Sequence, residues 1–196
     1  VSEQLIGRKE FGAGGFRYCG SILGQVGAGQ VAWGDLIGRV EQIVGAIVRE
    51  FHLVGVNGMD FILTSGTAYP LEINPRYTAS MELVERAYGI NIFDAHLAAC
   101  QGRLPAFGLV PQSSAGFFGK AILFATDSVV FHHPQWWFDR GARDLPCEGE
   151  RIGVGRPICT VFSRGSSRGE CYDGLIEAAA AMYRAAREKD PPREDG

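Results

Sequence analysis

The sequence lacks most of the features that assign a chain to a class at sight. Its five cysteines, Cys19, Cys100, Cys147, Cys159 and Cys171, are odd in number and form no CxxC pair. That argues against a disulfide framework or a zinc site and leads us to expect a reducing, cytoplasmic setting. Its apolar runs are far too short to cross a bilayer, so no membrane partner is expected. It has no basic stripe, and the formal net charge is -3, so no nucleic-acid partner is expected either. No charged segment followed by an apolar one opens the chain, so no signal peptide is expected at its start. The serines at 113, 114, 163, 166 and 167 fall into no Ser/His/Asp order of the hydrolase kind. The first residue is Val1 rather than methionine, which makes a fragment or a split subunit the expectation.

What remains is ordinary globular material. The 196 residues are 46% hydrophobic and 21% charged, enough for one domain or two small lobes with a core that needs no covalent staple. The glycine-rich first 31 residues read as strands and turns, with apolar runs at Gln4–Gly7 and Phe16–Ile22. Asp35 can cap a helix that runs to about Phe51, because Leu36, Val40, Ile43, Val44, Ile47 and Phe51 recur at helical spacing. Two strands, Leu53–Leu63 and Ala68–Asn74, flank the turn Thr64-Ser65-Gly66-Thr67. Helices follow at Met81–Ala87 and Ile92–Cys100, separated by the stop signal Gly89. Gln101–Ser114 reads as a connector. Gly119–Phe131 looks like paired strands, residues 132 to 156 are irregular, and Pro157–Ser163 is a strand. A last helix from Leu175 to about Lys189 is capped by Asp173, and the tail after it is charged, proline-rich and expected to be disordered.

Chemistry concentrates in Val56-Asn57-Gly58-Met59-Asp60-Phe61-Ile62-Leu63 and Ala68-Tyr69-Pro70-Leu71-Glu72-Ile73-Asn74-Pro75-Arg76. Side chains alternate faces along a strand. Met59, Phe61 and Leu63 therefore share one face of the first strand, with Asp60 opposite. Tyr69, Leu71 and Ile73 share one face of the second, with Glu72 and Asn74 opposite. A two-residue loop would set Asp60 against Leu71. A three-residue loop, Ser65-Gly66-Thr67, sets Asp60 against Glu72, Met59 against Ile73, Phe61 against Leu71 and Leu63 against Tyr69. Burial selects the second register, since a one-residue slip turns a whole strand the wrong way. Two carboxylates then face each other with Cβ atoms roughly 4.5–5.5 Å apart. Mg²⁺ relieves that repulsion, taking carboxylate oxygens, the Asn74 carbonyl, waters and nucleotide phosphates. Arg76 offers a planar fork to phosphate.

These residues, "NGMDFIL" and "YPLEINPR", resemble the ATP-grasp superfamily, whose mark is an acidic residue on one strand and Glu-x-Asn, often Glu-x-Asn-Pro-Arg, on the next. The following "YTASMELVERAYGINIFDAHLAACQGRLP" is similar to the family as well. The resemblance covers residues 1 to 105 well and 115 to 185 loosely. It implies an α+β fold, with a mostly antiparallel sheet backed by helices and a smaller β-rich lobe after it. The division expected is 1–112 for the carboxy-terminal part of the ATP-grasp core, 113–188 for the lobe with its final helix, and 189–196 for the tail. It also implies ATP and Mg²⁺ as cofactors, with Asp60, Glu72 and Asn74 as metal ligands and Glu72, Asn74 and Arg76 around the nucleotide. The resemblance further implies Arg76 as the catalytic residue, meeting the transferred phosphate. The reaction implied converts a small-molecule carboxylate to an acyl phosphate, which an amine or sometimes a thiol then attacks.

The family's glycine-rich flap and nucleotide-holding lysines have no match here. "FGAGGFRYCG" reads as a β-turn, and Arg8 and Lys9 lack a register that would carry them to a cleft. An amino-terminal lobe or partner chain is therefore expected, and the isolated chain is expected to be inactive. A non-catalytic binding or regulatory module built on the same fold is the alternative. Thr78, Ser80 and Glu82 could line the acceptor pocket, though Ser80 could equally cap a helix. His132 and His133, adjacent on the chain, point apart and read as a packed aromatic loop. His96 reads as structural and Cys19 as inert.

Overall fold

The computed structural model describes residues 1–24, 33–103 and 116–187, with side chains in the second stretch from Leu36 onward. The chain divides into two compact units, Val1–Gly24 with Ser114–Gly196, and Gln25–Ser113. This is not the division at residue 112 that chain order suggests. The first 24 residues join the carboxy-terminal part because their second strand pairs with one far along the chain.

The first unit is a four-stranded antiparallel sheet in the order β1 (Ser2–Ile6), β2 (Tyr18–Gly24), β5 (Phe117–Phe124), β8 (Pro157–Gly165). Helix α5 (Arg168–Arg187) packs on it, burying Cys171, Leu175, Ala179 and Met182 against Leu5, Ile22, Ala121, Leu123 and Val161. The helix begins earlier than Asp173. Ser167 Oγ accepts the Glu170 N–H at 3.1 Å, and Glu170 Oε2 reaches back to the Ser166 N–H at 2.9 Å. This is a capping-box arrangement with the Ser-x-x-Glu signature. Arg168 then forks onto Glu3 at 2.7 and 3.0 Å, tying the first helical turn to β1. The glycine-rich connection of β1 to β2 is a turn, as its sequence suggests. It closes with a 3-10 segment (Lys9–Phe11) that buries Phe11 and ends on left-handed Gly12 (φ 69). A Cβ at Gly12 would sit 2.2 Å from the Phe124 carbonyl oxygen, so no side chain fits there.

Gly119–Phe131 is not a strand pair. Strand β5 pairs with β2 and β8, while the short β6 (Val129–Val130) pairs with β7 (Arg151–Ile152). Residues 132 to 156 also hold a one-and-a-half-turn helix, α4 (Pro134–Asp139), with proline in its first turn, a position where the missing N–H costs nothing.

The second unit holds α1 (Trp33–Glu50), the hairpin β3 (Gly58–Thr64) and β4 (Thr67–Asn74), α2 (Met81–Tyr88) and α3 (Ile92–Cys100). Helix α1 begins two residues before Asp35, whose side chain lies outside the described residues. Its apolar stripe packs on β4, with Leu36 buried, while Phe51 is exposed beyond the last turn. The first hairpin strand starts at Gly58, five residues later than Leu53. Ser80 does not cap α2: its backbone is already helical, and its hydroxyl bonds to Thr78 Oγ1 at 3.2 Å. Helix α3 is capped by Asn91, whose Oδ1 accepts the Phe93 and Asp94 N–H groups at 2.9 and 3.1 Å. Every strand pairing among the described residues is antiparallel, and helices back the sheets, as the α+β expectation has it. Most of the Gln101–Ser114 connector and the tail from residue 188 lie outside the described residues.

Candidate metal and phosphate site

The hairpin turns in two residues, not three. Ser65 (φ 49) and Gly66 (φ 74) both adopt left-handed backbone, the conformation of a type I′ turn, whose twist matches that of the flanking strands. Pairing then runs Thr64↔Thr67, Leu63↔Ala68, Ile62↔Tyr69 and Phe61↔Pro70. Continued regularly, it would set Asp60 against Leu71. Instead the register shifts between Asp60 and Phe61. Leu71 becomes the extra residue of a β-bulge, and the pairs beyond it are Asp60↔Glu72, Met59↔Ile73 and Gly58↔Asn74.

The two carboxylates thus stand opposite each other as expected, by a different route. Phe61↔Leu71 and Leu63↔Tyr69 do not occur. Tyr69 shares the face of Ile62 and Asp60, and Ala68 takes the position opposite Leu63. Pro70 supplies the physical reason. It has no N–H for the ladder, so it sits where the ladder is broken, at the bulge. The proline was the sequence signal for the bulge.

Asp60, Glu72 and Asn74 therefore share one face of one hairpin. Asn74 is 7% exposed and Glu72 is exposed. Arg76 follows the last pair. Its Nη2 donates to Asn74 Oδ1 at 3.0 Å and its Nη1 to the Tyr77 carbonyl at 3.2 Å, while its N–H donates to the Asn74 carbonyl at 2.8 Å. The guanidinium is fixed beside the amide, with donors of the fork left over for an anion.

The loop after Arg76 folds back on β3. A Cβ on Gly58 would lie 2.6 Å from Thr78 Cγ2, so glycine at that position is what lets Thr78 close in opposite Asn74. Glu82 is engaged along its own helix with Arg86 at 3.1 Å. Tyr77 donates its hydroxyl to Glu85 Oε2 at 3.0 Å, and Glu85 Oε1 accepts the Ile92 N–H at 3.0 Å. One carboxylate thus ties the loop to α3. Burial first, and then the Glu85 carboxylate, push the Tyr77 hydroxyl well above its usual range. His96 is structural: its Nδ1 accepts the Val56 N–H at 3.2 Å, just ahead of β3.

The remaining candidates lie in the first unit. Arg8 sits over the Tyr172 ring at 5.9 Å, and Lys9 belongs to the 3-10 segment. His132 and His133 both hold Glu148, through His132 Nδ1 at 2.7 Å and the His133 N–H at 2.8 Å. Trp137 packs on Phe131 at 4.9 Å between centroids, so the stretch is indeed a packed aromatic segment.

Among the described residues no three His, Cys, Asp or Glu side chains gather as a metal cage. Zinc or calcium held by protein alone does not suit this donor set. Two carboxylates with one amide oxygen suit a hard cation that completes its shell with water and phosphate oxygens, which is the habit of magnesium.

An antiparallel hairpin bearing Asp, Glu-x-Asn and a following arginine, backed by helices in an α+β fold, is the architecture of ATP-dependent ligases of one class. Residues 1–80 match the model of the ATP-grasp domain, and that part of the chain belongs to the ATP-grasp superfamily. The carbamoyl phosphate synthase large chain of Thermoplasma volcanium is 31% identical over 153 residues, which cover 74% of this chain and 14% of that protein. Among solved structures, the phosphoribosylaminoimidazole carboxylase ATPase subunit of Aquifex aeolicus superposes with a TM-score of 0.57 at 16% identity. That match covers 83% of this chain and 48% of the other. An L-amino acid ligase of Bacillus licheniformis gives 0.55 at 18% identity, covering 84% and 43%. These structural likenesses concern the fold. The chain spans less than half the length of each of these relatives. No described helix is long and apolar enough to cross a membrane.

Proposed function

We propose that this chain is the metal- and phosphate-handling portion of a Mg²⁺-dependent, cytoplasmic ligase that joins a small-molecule carboxylate to an amine or thiol at the expense of ATP. The observation that carries the reading is the bulged register of the hairpin, which sets Asp60 against Glu72 with Asn74 on the same face. Like charges so placed are destabilising without a cation between them.

Asp60, Glu72 and Asn74 would hold the metal, and the chemistry it would supply there is positive charge against the phosphate oxygens. Arg76, fixed by Asn74 and Tyr77, meets the charge on the phosphoryl oxygens in transfer. A substrate carboxylate oxygen bonds to the γ-phosphorus as the bond to ADP breaks, giving an acyl phosphate. The amine nitrogen, or thiolate sulfur, then bonds to the acyl carbon, inorganic phosphate leaves, and the amine proton passes to solvent. Residues 58 to 80 carry no lysine to balance the nucleotide's own charge. We therefore propose that a nucleotide-holding lobe, elsewhere in a longer protein or on a partner chain, acts with this one, and that the 196-residue chain alone binds ATP negligibly.

The test is ATP-dependent phosphate release by the gene product against a panel of carboxylates and amines. Glu72→Gln and Asn74→Ala are expected to lower turnover by two orders of magnitude or more while the protein stays folded. Unchanged turnover in both would overturn the assignment and favour a non-catalytic module on the same fold.

A further inference from the structure

The first unit contains a cleft that the ligase reading does not use. It has a volume of about 340 Å³ and lies along β8 and the neighbouring β5, walled by Ile122, Leu145, Pro146, Pro157 and Ile158. That is within the range of pockets that hold small ligands. Its polar groups are the carboxylates of Asp144 and Glu150 and the buried hydroxyl of Thr160.

Backbone contacts hold both carboxylates in place. Arg143 and Thr160 exchange two backbone hydrogen bonds of 2.9 Å, which clamp the loop alongside β8. Asp144, next on the chain, adopts left-handed backbone (φ 56), and its Oδ2 accepts the Thr160 hydroxyl at 2.7 Å. Glu150 is anchored by its carbonyl, which accepts the Phe131 N–H at 2.8 Å, and by its N–H, which donates to the Cys147 carbonyl at 3.1 Å. Its Oε2 accepts the Cys147 N–H at 3.1 Å. One oxygen of each carboxylate is thereby oriented, and the other is left for a ligand.

Among the described residues no ion pair balances these two charges. Arg143, next to Asp144 in sequence, is turned elsewhere: its Nη1 donates to the Phe138 and Ala142 carbonyls and its plane lies 4.1 Å over the Phe138 ring. Arg151, next to Glu150, belongs to β7, where it pairs with Val130.

We propose that this cleft binds a small primary ammonium ion carrying a short aliphatic body. The ammonium has three donors, which match the two open carboxylate oxygens with one to spare for water. The alkyl chain covers Ile122, Leu145 and the two prolines, and gains by leaving water. An anion is refused by the paired negative charge. A bare divalent ion would leave the apolar walls unused; the one sulfur of the lining, Cys159, is a buried thiol that burial keeps protonated, and among the described residues no three His, Cys, Asp or Glu side chains gather to hold an ion. The proposal does not depend on the ligase reading.

The experiment is a titration of the 196-residue chain with n-butylammonium chloride at constant ionic strength, followed by amide and methyl NMR shifts. Sodium butyrate and n-butanol serve as matched controls. The expected result is saturable binding in the millimolar range, with shifts at Ile122, Leu145 and Thr160 and none from butyrate. Glu150→Gln should weaken binding at least tenfold with the rest of the spectrum preserved. Asp144→Asn, which can still accept the Thr160 hydroxyl, should do the same. Shifts that fail to saturate, butyrate or butanol binding as tightly, or undiminished binding by both variants would each overturn the proposal.

Discussion

Asp60 faces Glu72 across the hairpin because Leu71 is left out of the ladder. Without that bulge a two-residue turn would put Glu72 and Asn74 on the wrong side of β4. The acidic pair stands at a cost when no cation is present, and that cost gives a first prediction. Glu72→Gln should stabilise the metal-free chain by about 0.2–1 kcal/mol, the size of a cross-strand charge effect. It should also remove the small rise in melting temperature that Mg²⁺ gives the unsubstituted chain. Thermal denaturation with and without Mg²⁺ measures both.

The turn sets the register from which the bulge departs. Gly66 has φ 74, where a side chain is strained. Gly66→Ala should destabilise the chain by about 1–2 kcal/mol through backbone strain alone, since nothing lies within 4 Å of the added Cβ. Ser65→Asn, which suits left-handed backbone, should be neutral or slightly stabilising. Urea unfolding midpoints measure the difference.

Much of the site was legible in the sequence because strand alternation is a strict rule. Asp60, Glu72 and Asn74 could be placed on one face from spacing and burial alone. The route was misread because loop length and a bulge trade against each other: a three-residue loop and a two-residue loop with one extra strand residue give the same Asp60↔Glu72 pair. Pro70 carried the missing information. The helices expected at 81–87 and 92–100, divided by the stop signal Gly89, stand at 81–88 and 92–100. Helix α5 starts earlier than the Asp173 cap signal implies because Ser167 and Glu170 satisfy the first backbone N–H groups. The partnership of residues 1–24 with 114–196 was not legible, since hydrogen bonds between β2 and β5 leave no local mark in either strand.

Thiol chemistry tests the burial pattern. Cys100 and Cys147 are exposed, while Cys19, Cys159 and Cys171 are buried. Burial pushes all three buried thiols up, Cys159 to about 12. A disulfide reagent at pH 8 should therefore modify two thiols of five quickly, and the other three only at the rate of unfolding. Mass spectrometry of the partly labelled chain identifies them.

The same groups predict an alkaline limit. Tyr183 donates its hydroxyl to the Phe124 carbonyl at 2.9 Å, and burial raises it from 10.0 to about 12. Cys159 is raised from 9.0 to about 12, by burial and then by the Asp144 charge. Both are held protonated in the folded state to higher pH than in the unfolded one. Their contribution is complete below pH 9 and is lost as pH climbs toward 12, because the unfolded chain sheds its protons first. Stability by urea denaturation should fall across that window. Cys159→Ala should flatten the fall from pH 9 upward, and Tyr183→Phe the part above pH 10.

The most direct measurement is where a paramagnetic stand-in for magnesium binds. Mn²⁺ at substoichiometric concentration should broaden the NMR signals of residues 58 to 60 and 72 to 76 before others, and Glu72→Gln should abolish that broadening. Broadening that centres elsewhere, or that survives the substitution unchanged, would contradict a metal site on this hairpin.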